Sequence, residues 1–554
     1  MKQQPLYLQE DGLIYFNSVH PEANIAHPFI SKFAHLKQSP SEMHIYELSQ
    51  YSVWYAFDQG ITSEEIITFL ISFSNPPVPS SLMNKIRGWE DSSRKFIMKN
   101  IEGEGPCLFC ESIQMIEECF PERSDGIFRH EQGAAMRMSM TERGTLKHRL
   151  IKGGYPVLDY LLIDEGEHLP ITLNNHVRLR PYQKEAVEAF IKPKSYEKGN
   201  GFIILPCGSG KTLVGIGVMS KINEETLIIA PNDTSLHQWR AEIFANTNLG
   251  NSDIGLYASS EKNVRPVTLT TYQMLTYRGE SKNNLYPHFR LFQERNWGLI
   301  IYDEVHLLPA PLFRMTSYMQ GKRRLGLTAT FVREDGREDD IYSLIGPKRY
   351  ELGIKELEHN DWIAKPICKE YKVHFSEDHW EKYLQSSKKE KYKMASVNDE
   401  KLNVLNVLVE KHREDHILII GQYIEQLEKI AAHFSIPIIT GKTKKSEREN
   451  IYKQFRAGKI KALVVSKVAN MAVNLPSANV AIQVSGVYGS RQEEAQRIGR
   501  LLRPSSERKP VYFYSLVTAM TQEEERASNR QLFMKEQGYH YEWEEWSLCS
   551  YSQY

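Results

Sequence analysis

Residues 201–212 read GFIILPCGSGKT. An apolar, β-prone run enters a loop with glycines at 208 and 210, the loop ends in Lys211-Thr212, and a stretch of helical character follows. Strand, glycine-containing loop, Lys-Thr and helix is the order that triphosphate binding requires. Backbone N–H groups of Gly208, Ser209 and Gly210 can point at phosphate oxygens. Lys211 adds positive charge near the β and γ phosphates, Thr212 offers a hydroxyl to Mg²⁺, and the helix N-terminus favours an anion. The usual pattern opens with Gly or Ala where this chain has Leu205, but the core GSGKT is intact.

Outward from this loop the chain is regular. Short β-rich runs each end in a turn and lead into helical stretches: GFIIL (201–205), TLIIA (226–230), VTLTT (267–271), GLIIYD (298–303) and LGLT (325–328). The alternation stops near 350 and resumes with HILIIG (416–421), PIIT (437–440), ALVVS (462–466), VAIQV (480–484) and VYFYSLV (511–517). Such alternation predicts an α/β fold with parallel sheets covered on both faces, in two tandem lobes. Between them lies a charged helical stretch, SEDHWEKYLQSSKKEKYK (376–393). Before residue 179 the character is mixed. GLIYFNS (12–18) alternates like a strand, Tyr46 to Leu70 has helical spacing, and GTLKHRLIKGGYPVLDY (144–160) predicts a helix ended by two glycines, then an extended piece.

The bulk numbers set bounds. A chain of 554 residues holds about three or four domains. Its 41% hydrophobic and 25% charged residues are ordinary for a globular protein. The 69 basic and 69 acidic residues cancel, which leaves room for a basic groove on an otherwise acidic surface. No apolar run reaches the ~18 residues of a membrane span. The N-terminal MKQQPLYLQEDG lacks the apolar core of a secretion signal, so a cytoplasmic place is expected. Cys107 and Cys110 form a CxxC, with Cys119 and His130 downstream. Zinc could use that spacing, but a second pair is missing, and buried or idle thiols are the plainer reading.

Two further stretches carry chemistry. LIIYDEVH (299–306) is an apolar strand ending in adjacent carboxylates. Asp303 would hold Mg²⁺ and Glu304 would orient and activate water, at the strand end where ligands bind in such sheets. In QRIGRLLR (496–503), Arg500 and Arg503 fall on one face of a helix. They could serve as arginine fingers for a γ-phosphate, or form a plain basic amphipathic helix. A second lobe of this kind argues against a kinase, a GTPase or a transporter ATPase. LTATFVREDGREDD (327–340) is densely charged and, taken alone, reads as a solvated turn.

These motifs resemble superfamily-2 helicases and occur in that family's order. LRPYQ (179–183) looks like the adenine-reading motif, which makes Arg180 and Gln183 its contacts; LPCGSGKT, DEVH, TAT (328–330) and QRIGRLLR follow. Segments at Ala230-Pro231, Thr270-Thr271 and Thr440-Gly441 sit where this superfamily touches the nucleic-acid backbone. The longer stretches DEVHLLPAPLFR, GLTATFVREDGRED, LIGPKRYE, SKVANMAVNLPSANVAIQVSG and GSRQEEAQRIGRLLRP resemble the XPB helicase family, in a compact, prokaryotic-type form. The resemblance extends to FYSLVTAMTQEEERASNRQLFMKEQGY and to HIYELSQYSVWYAFDQGITSEEIITFLISFSNPPVP near the N-terminus.

The resemblance implies two RecA-like lobes, 179–355 (ATP-binding) and 356–520, with a thumb-like helical insertion near 376–395 in the second. It implies N-terminal accessory α/β domains, 1–125 and a damage-recognition-like module at 126–178, and a C-terminal tail, 521–554, on lobe 2. It implies a 3′–5′ DNA helicase or translocase of nucleotide excision repair that uses ATP and Mg²⁺, acts on duplex, forked or single-stranded DNA at the nucleoid, and works with a repair nuclease or other repair protein. Catalysis would fall to Glu304, Gln496, Arg500 and Arg503, and coupling to His306, Thr328 and Thr330. DNA opening or binding would fall to Arg333, Glu334, Asp335, Thr270, Thr271, Lys388 and Lys389, the two lysines in a basic cluster with Lys391 and Lys393. Where the family has Gly-Asp and a later Asp, this chain has Ala469-Asn470 and Asn474, which puts the coupling of hydrolysis to movement in question. Two other readings stay open: an RNA helicase or translocase subunit of another DNA-processing system, and an ATP-gated DNA-binding scaffold that opens nothing.

Overall fold

The structure, a computed structural model, describes residues 4–38, 43–58, 60–75, 77–131, 133–161, 165–192, 199–206, 208–259, 261–277, 287–308, 322–329, 341, 344–352, 357, 362, 366–466, 478–486, 510–536 and 541–546. The chain divides into two compact units, with Met1–Lys37, Glu42–Leu205 and Gly210–Leu352 in the first and Gly353–Tyr554 in the second.

The first unit opens with a four-stranded sheet: β1 Leu6–Leu8, β2 Leu13–Asn17, β3 His35–Gln38 and β4 Met43–Glu47, in the order β1-β2-β4-β3. The expected helical region from Tyr46 to Leu70 is divided. Tyr46 belongs to β4, and the helices are Gln50–Asp58 and Ser63–Phe73. Thr62 explains the restart: its hydroxyl accepts from Glu65 N and the Glu65 carboxylate accepts from Thr62 N, a reciprocal cap.

A second sheet holds β5 Phe96–Ile101, β6 Gly105–Cys110, β7 Ile127–His130, β8 Gly133–Arg137 and β9 Val157–Asp159, ordered β7-β8-β6-β5-β9. Because β6 pairs with β8, this sheet crosses the boundary placed at 125/126 and occupies 96–159. The segment after it is a strap along lobe 1: Gly166 N donates to Glu224, Leu169 N to the Asn223 carbonyl, and Asn174 N to the Asn246 carbonyl.

Lobe 1 follows as β10 Asn200–Ile204, β11 Thr226–Ala230, β12 Ile254–Tyr257, β13 Val267–Thr271, β14 Leu299–Asp303, β15 Arg323–Thr328 and β16 Lys348–Glu351. The order is β12-β13-β11-β14-β15-β10-β16, and every pairing is parallel. β10, β11 and β13 are buried along their whole length, which is why their sequences are continuously apolar or carry only Thr and Asn as polar members. One face packs Trp297, Tyr302, Phe202, Leu227 and Ile300 into a core, each worth about 1.5–3 kcal/mol of burial.

In the second unit, lobe 2 comprises β17 Pro366–Val373, β18 Ile417–Gly421, β19 Ile438–Ile439, β20 Ala462–Ser466, β21 Val480–Gln483, β22 Val511–Thr518 and β23 Tyr541–Trp546, in the order β19-β20-β18-β21-β22-β17-β23. All its pairings are parallel too. The two lobes are RecA-like. β23 comes from the segment read as a tail; it joins the sheet as an edge strand beside β17, and the helix Gln522–Glu536 leads to it. The charged stretch forms two helices, Glu377–Gln385 and Lys388–Ser396, because Ser387 caps the second with Glu390 in return.

Candidate active site

Parallel strands place all their carboxyl ends on one edge, and the order β11-β14-β15-β10 brings four of the motifs side by side. β10 leads into the glycine loop. Ser209 is buried, with its hydroxyl donating to the Pro206 carbonyl at 2.6 Å. Gly210 is left-handed (φ +83°) and caps the helix Lys211–Ile222. A Cβ there would stand 2.6 Å from Gln183 Nε2, so the loop needs glycine both for its backbone and for the close approach of this amide. Gln183 Oε1 in turn accepts from Arg180 N at 2.9 Å. The expected adenine-reading pair and the phosphate loop are therefore built against each other.

β14 ends in Asp303, and Glu304 turns left-handed (φ +49°), an uncommon backbone for a non-glycine residue. Lys211 Nζ lies 3.3 Å from Glu304 Oε1, with both side chains nearly buried. The indole N–H of Trp239 donates to Asp303 Oδ2 at 2.9 Å, and the Tyr272 hydroxyl donates to the Asp303 carbonyl at 2.9 Å. His306 is buried and shares a 2.6 Å hydrogen bond with the Thr328 hydroxyl on β15.

The two carboxyls differ in their ionisation. Burial, then the neighbouring charge of Glu304, pushes Asp303 up to about 6, against weaker pulls from Trp239 and Lys211. Burial also opposes ionisation of Glu304, but Lys211, His306 and the Ala329 N–H together outweigh it and hold that carboxyl below its usual range. The residues present fit a nucleotide with a divalent cation. Glu304 Oε2 is buried with no hydrogen-bond partner among the described residues, and the Gly210 cradle is one a Cβ would fill. Two hard carboxylates and the half-buried Thr212 are the donor chemistry that Mg²⁺ takes.

Thr330, Arg333, Glu334, Asp335, Gln496, Arg500 and Arg503 lie outside the described residues, as do Ala469, Asn470 and Asn474. Thr270 is fully buried and its hydroxyl donates to the Tyr257 carbonyl, so that side chain is committed to the sheet and is not presented to a ligand. Thr271 caps the helix Tyr272–Thr276, accepting from Met274 N. Lys388 is exposed on its helix, which Lys389 shares. Lys391 stands over the Tyr383 ring at 5.5 Å, and Lys393 lies 3.3 Å from Glu425. Cys107 and Cys110 sit on one strand three residues apart, which sends them to opposite faces: Cys107 packs with Phe109 and Ala135, Cys110 with Leu108 and Ile116. They cannot share a metal, and no group of three or more metal-ligating side chains occurs among the described residues. No helix among them is long and apolar enough to cross a membrane.

Sequence reasoning missed Trp239 and Tyr272. They lie 64 and 31 residues from Asp303 and belong to no motif, so nothing in their spacing could have tied them to it.

Comparison with known proteins gives consistent matches. Residues 357–545 match the ERCC3/RAD25/XPB C-terminal helicase family, 176–333 the type III restriction enzyme res subunit, and 6–102 a helicase conserved C-terminal domain. The chain is 42% identical to the DNA 3′-5′ helicase XPB of Kineococcus radiotolerans, covering 98% of this chain and 96% of that one. It is 40% identical to the protein of the same name from Mycobacterium tuberculosis, covering 98% of each. It is 32% identical to the general transcription and DNA repair factor IIH helicase/translocase subunit XPB of Encephalitozoon cuniculi, over 97% of this chain and 82% of the other.

Proposed function

The chain belongs to the XPB family of helicases, and on that premise we propose that it is an ATP-dependent superfamily-2 DNA helicase that moves 3′ to 5′ and opens or translocates on duplex DNA in nucleotide excision repair. The observation that carries this reading is the cluster of Lys211, Asp303 and Glu304 at the carboxyl edge of lobe 1.

Each residue then has a role. Backbone N–H groups of Gly208, Ser209 and Gly210 cradle the phosphates, and Lys211 leaves Glu304 to meet the β and γ oxygens. Thr212 and Asp303 would hold Mg²⁺, which neutralises developing phosphate charge when bound. Once Lys211 departs, Glu304 Oε1 is released, and the carboxylate accepts a proton from the attacking water. Arg180 and Gln183 contact the adenine, and Gln496, Arg500 and Arg503 stabilise charge in the transition state. His306 and Thr328 carry the state of the site from β14 to β15 and on to Thr330 and the Arg333-Glu334-Asp335 element, which acts in DNA opening. The segments around Ala230-Pro231 and Thr271 grip DNA phosphates without reading sequence. Lys388 and Lys389 add further phosphate contacts. The setting is the cytoplasm at the nucleoid, with a repair nuclease as the class of partner.

The test is steady-state ATP turnover of the wild type and Lys211→Ala, each alone, with RNA, with duplex DNA and with forked DNA. Strong stimulation by DNA over RNA that vanishes in the variant is expected. Turnover that is indifferent to DNA, or that survives in the variant, would overturn the reading.

A further inference from the structure

Asp303 is held from two directions, and both holders sit on helices that begin where neighbouring strands end. β11 lies between β13 and β14, with Ala230 level with Thr271 and Ile229 level with Tyr302, so the ends of β11, β13 and β14 stand side by side. After β11 comes the helix Asp233–Asn246, capped by Asn232, whose side chain accepts from Ser235 N. Trp239 sits on it, almost fully buried, and gives its N–H to Asp303 Oδ2. After β13 comes the helix Tyr272–Thr276, capped by Thr271, and its first residue gives its hydroxyl to the Asp303 carbonyl.

The Trp239 ring has little freedom to move independently. A Cβ on Gly215, in the phosphate-loop helix, would stand 2.5 Å from Trp239 Cη2 and 3.2 Å from Leu327 Cδ1 of β15. The indole is wedged between the helix that starts at Lys211 and the carboxylate that ends β14. A small shift of the β11 or β13 end, transmitted along a capped helix, therefore moves a donor on Asp303 without being absorbed by loose packing.

We infer that Trp239 and Tyr272 are positioning residues that relay DNA contact at the ends of β11 and β13 to the Asp303 carboxylate, so that DNA sets the geometry of the Mg²⁺-binding edge. The inference rests on the reading that those two strand ends grip DNA. It assigns a route for DNA stimulation of ATP turnover within lobe 1, independent of any residue in lobe 2.

Tyr272→Phe keeps its ring and removes one O–H; Trp239→Phe removes the indole N–H together with the fused second ring. The experiment measures turnover at saturating ATP and Mg²⁺, with and without forked DNA, for wild type and both variants, with melting temperature alongside. The ratio of DNA-stimulated to basal turnover is expected to fall about fivefold or more in each variant, the lower end of a typical coupling between sites. A purely structural role would lower both rates in proportion; an unchanged ratio in folded variants therefore overturns the inference while leaving the helicase reading intact. Should Trp239→Phe fail to fold, Tyr272→Phe decides, since it deletes a single hydroxyl. A wild type that DNA does not stimulate overturns the reading beneath it, and the relay with it.

Discussion

Replacing Glu304 by Gln should move catalysis and nucleotide affinity in opposite directions. In the structure Lys211 Nζ is 3.3 Å from Glu304 Oε1, so nucleotide phosphates must compete with this carboxylate for the lysine. At that separation and an effective dielectric near 20 the gross attraction is about 5 kcal/mol, most of it offset by the desolvation of two nearly buried charges. The net worth is that of a charge-assisted hydrogen bond, about 1.5–3 kcal/mol, and Gln would still accept from the ammonium, so the variant gives up only part of it. A loss of about 1 kcal/mol predicts that Glu304→Gln binds Mg²⁺-ADP about fivefold tighter. ADP is the right probe, because it reaches Lys211 through its β-phosphate and does not depend on blocked hydrolysis. Turnover should fall by about 10²–10⁴-fold, the usual contribution of a positioned acid–base group. Fluorescence titration with a labelled ADP and steady-state turnover measure the two quantities. Affinity for ADP that is equal or weaker in the variant would refute the competition argument, and near-normal turnover would remove Glu304 from catalysis.

Three further outcomes are expected. Gly210→Ala must hold a left-handed backbone at about 1–2 kcal/mol and displace the Gln183 amide from 2.6 Å, so kcat/KM for ATP should fall and preference for ATP over GTP should narrow; an unchanged ratio would separate Gln183 from base reading. In the second sheet, Asp159 is fully buried between Arg143 and Lys147, which outweigh its burial and hold its carboxyl at about 2. With the folded value below the ordinary one of 3.8, its stabilisation is complete above that value and is lost as pH falls toward 2. Asp159→Asn should accordingly cost about 3–5 kcal/mol locally and speed hydrogen exchange across β9 and the helix Arg143–Lys152, and protection equal to the wild type would count against it. Prolonged chelation should leave melting temperature and metal content unchanged, since Cys107 and Cys110 face opposite sides of β6; stoichiometric zinc lost together with stability would contradict that geometry.

Much was legible without coordinates, and for a physical reason. The phosphate loop, the two carboxylates after β14 and the alternation of buried strands with helices are local: a few consecutive residues dictate each backbone conformation. Burial on both faces of a parallel sheet also leaves a direct mark, continuous apolar runs such as TLIIA and ALVVS. Where local signals were weak, the reading failed. β23 has the charged sequence YEWEEW, mostly exposed at a sheet edge, and so reads as tail. The second sheet straddles an assumed boundary because pairing of β6 with β8 leaves no periodic trace in either strand. Thr270 resembles a ligand residue, yet its hydroxyl completes the edge of the sheet.

The chemistry of the site, which residue types at which spacing, was determined by the sequence alone. Which of them touch was decided by the order β12-β13-β11-β14-β15-β10-β16, which no spacing encodes. That order sets Lys211 against Glu304, His306 against Thr328, and Trp239 and Tyr272 on Asp303, across separations of 22 to 93 residues (304 minus 211 is 93 and 328 minus 306 is 22). Contacts of that range form only when distant strands share one edge, because burying their apolar faces together outweighs the chain entropy of closing long loops.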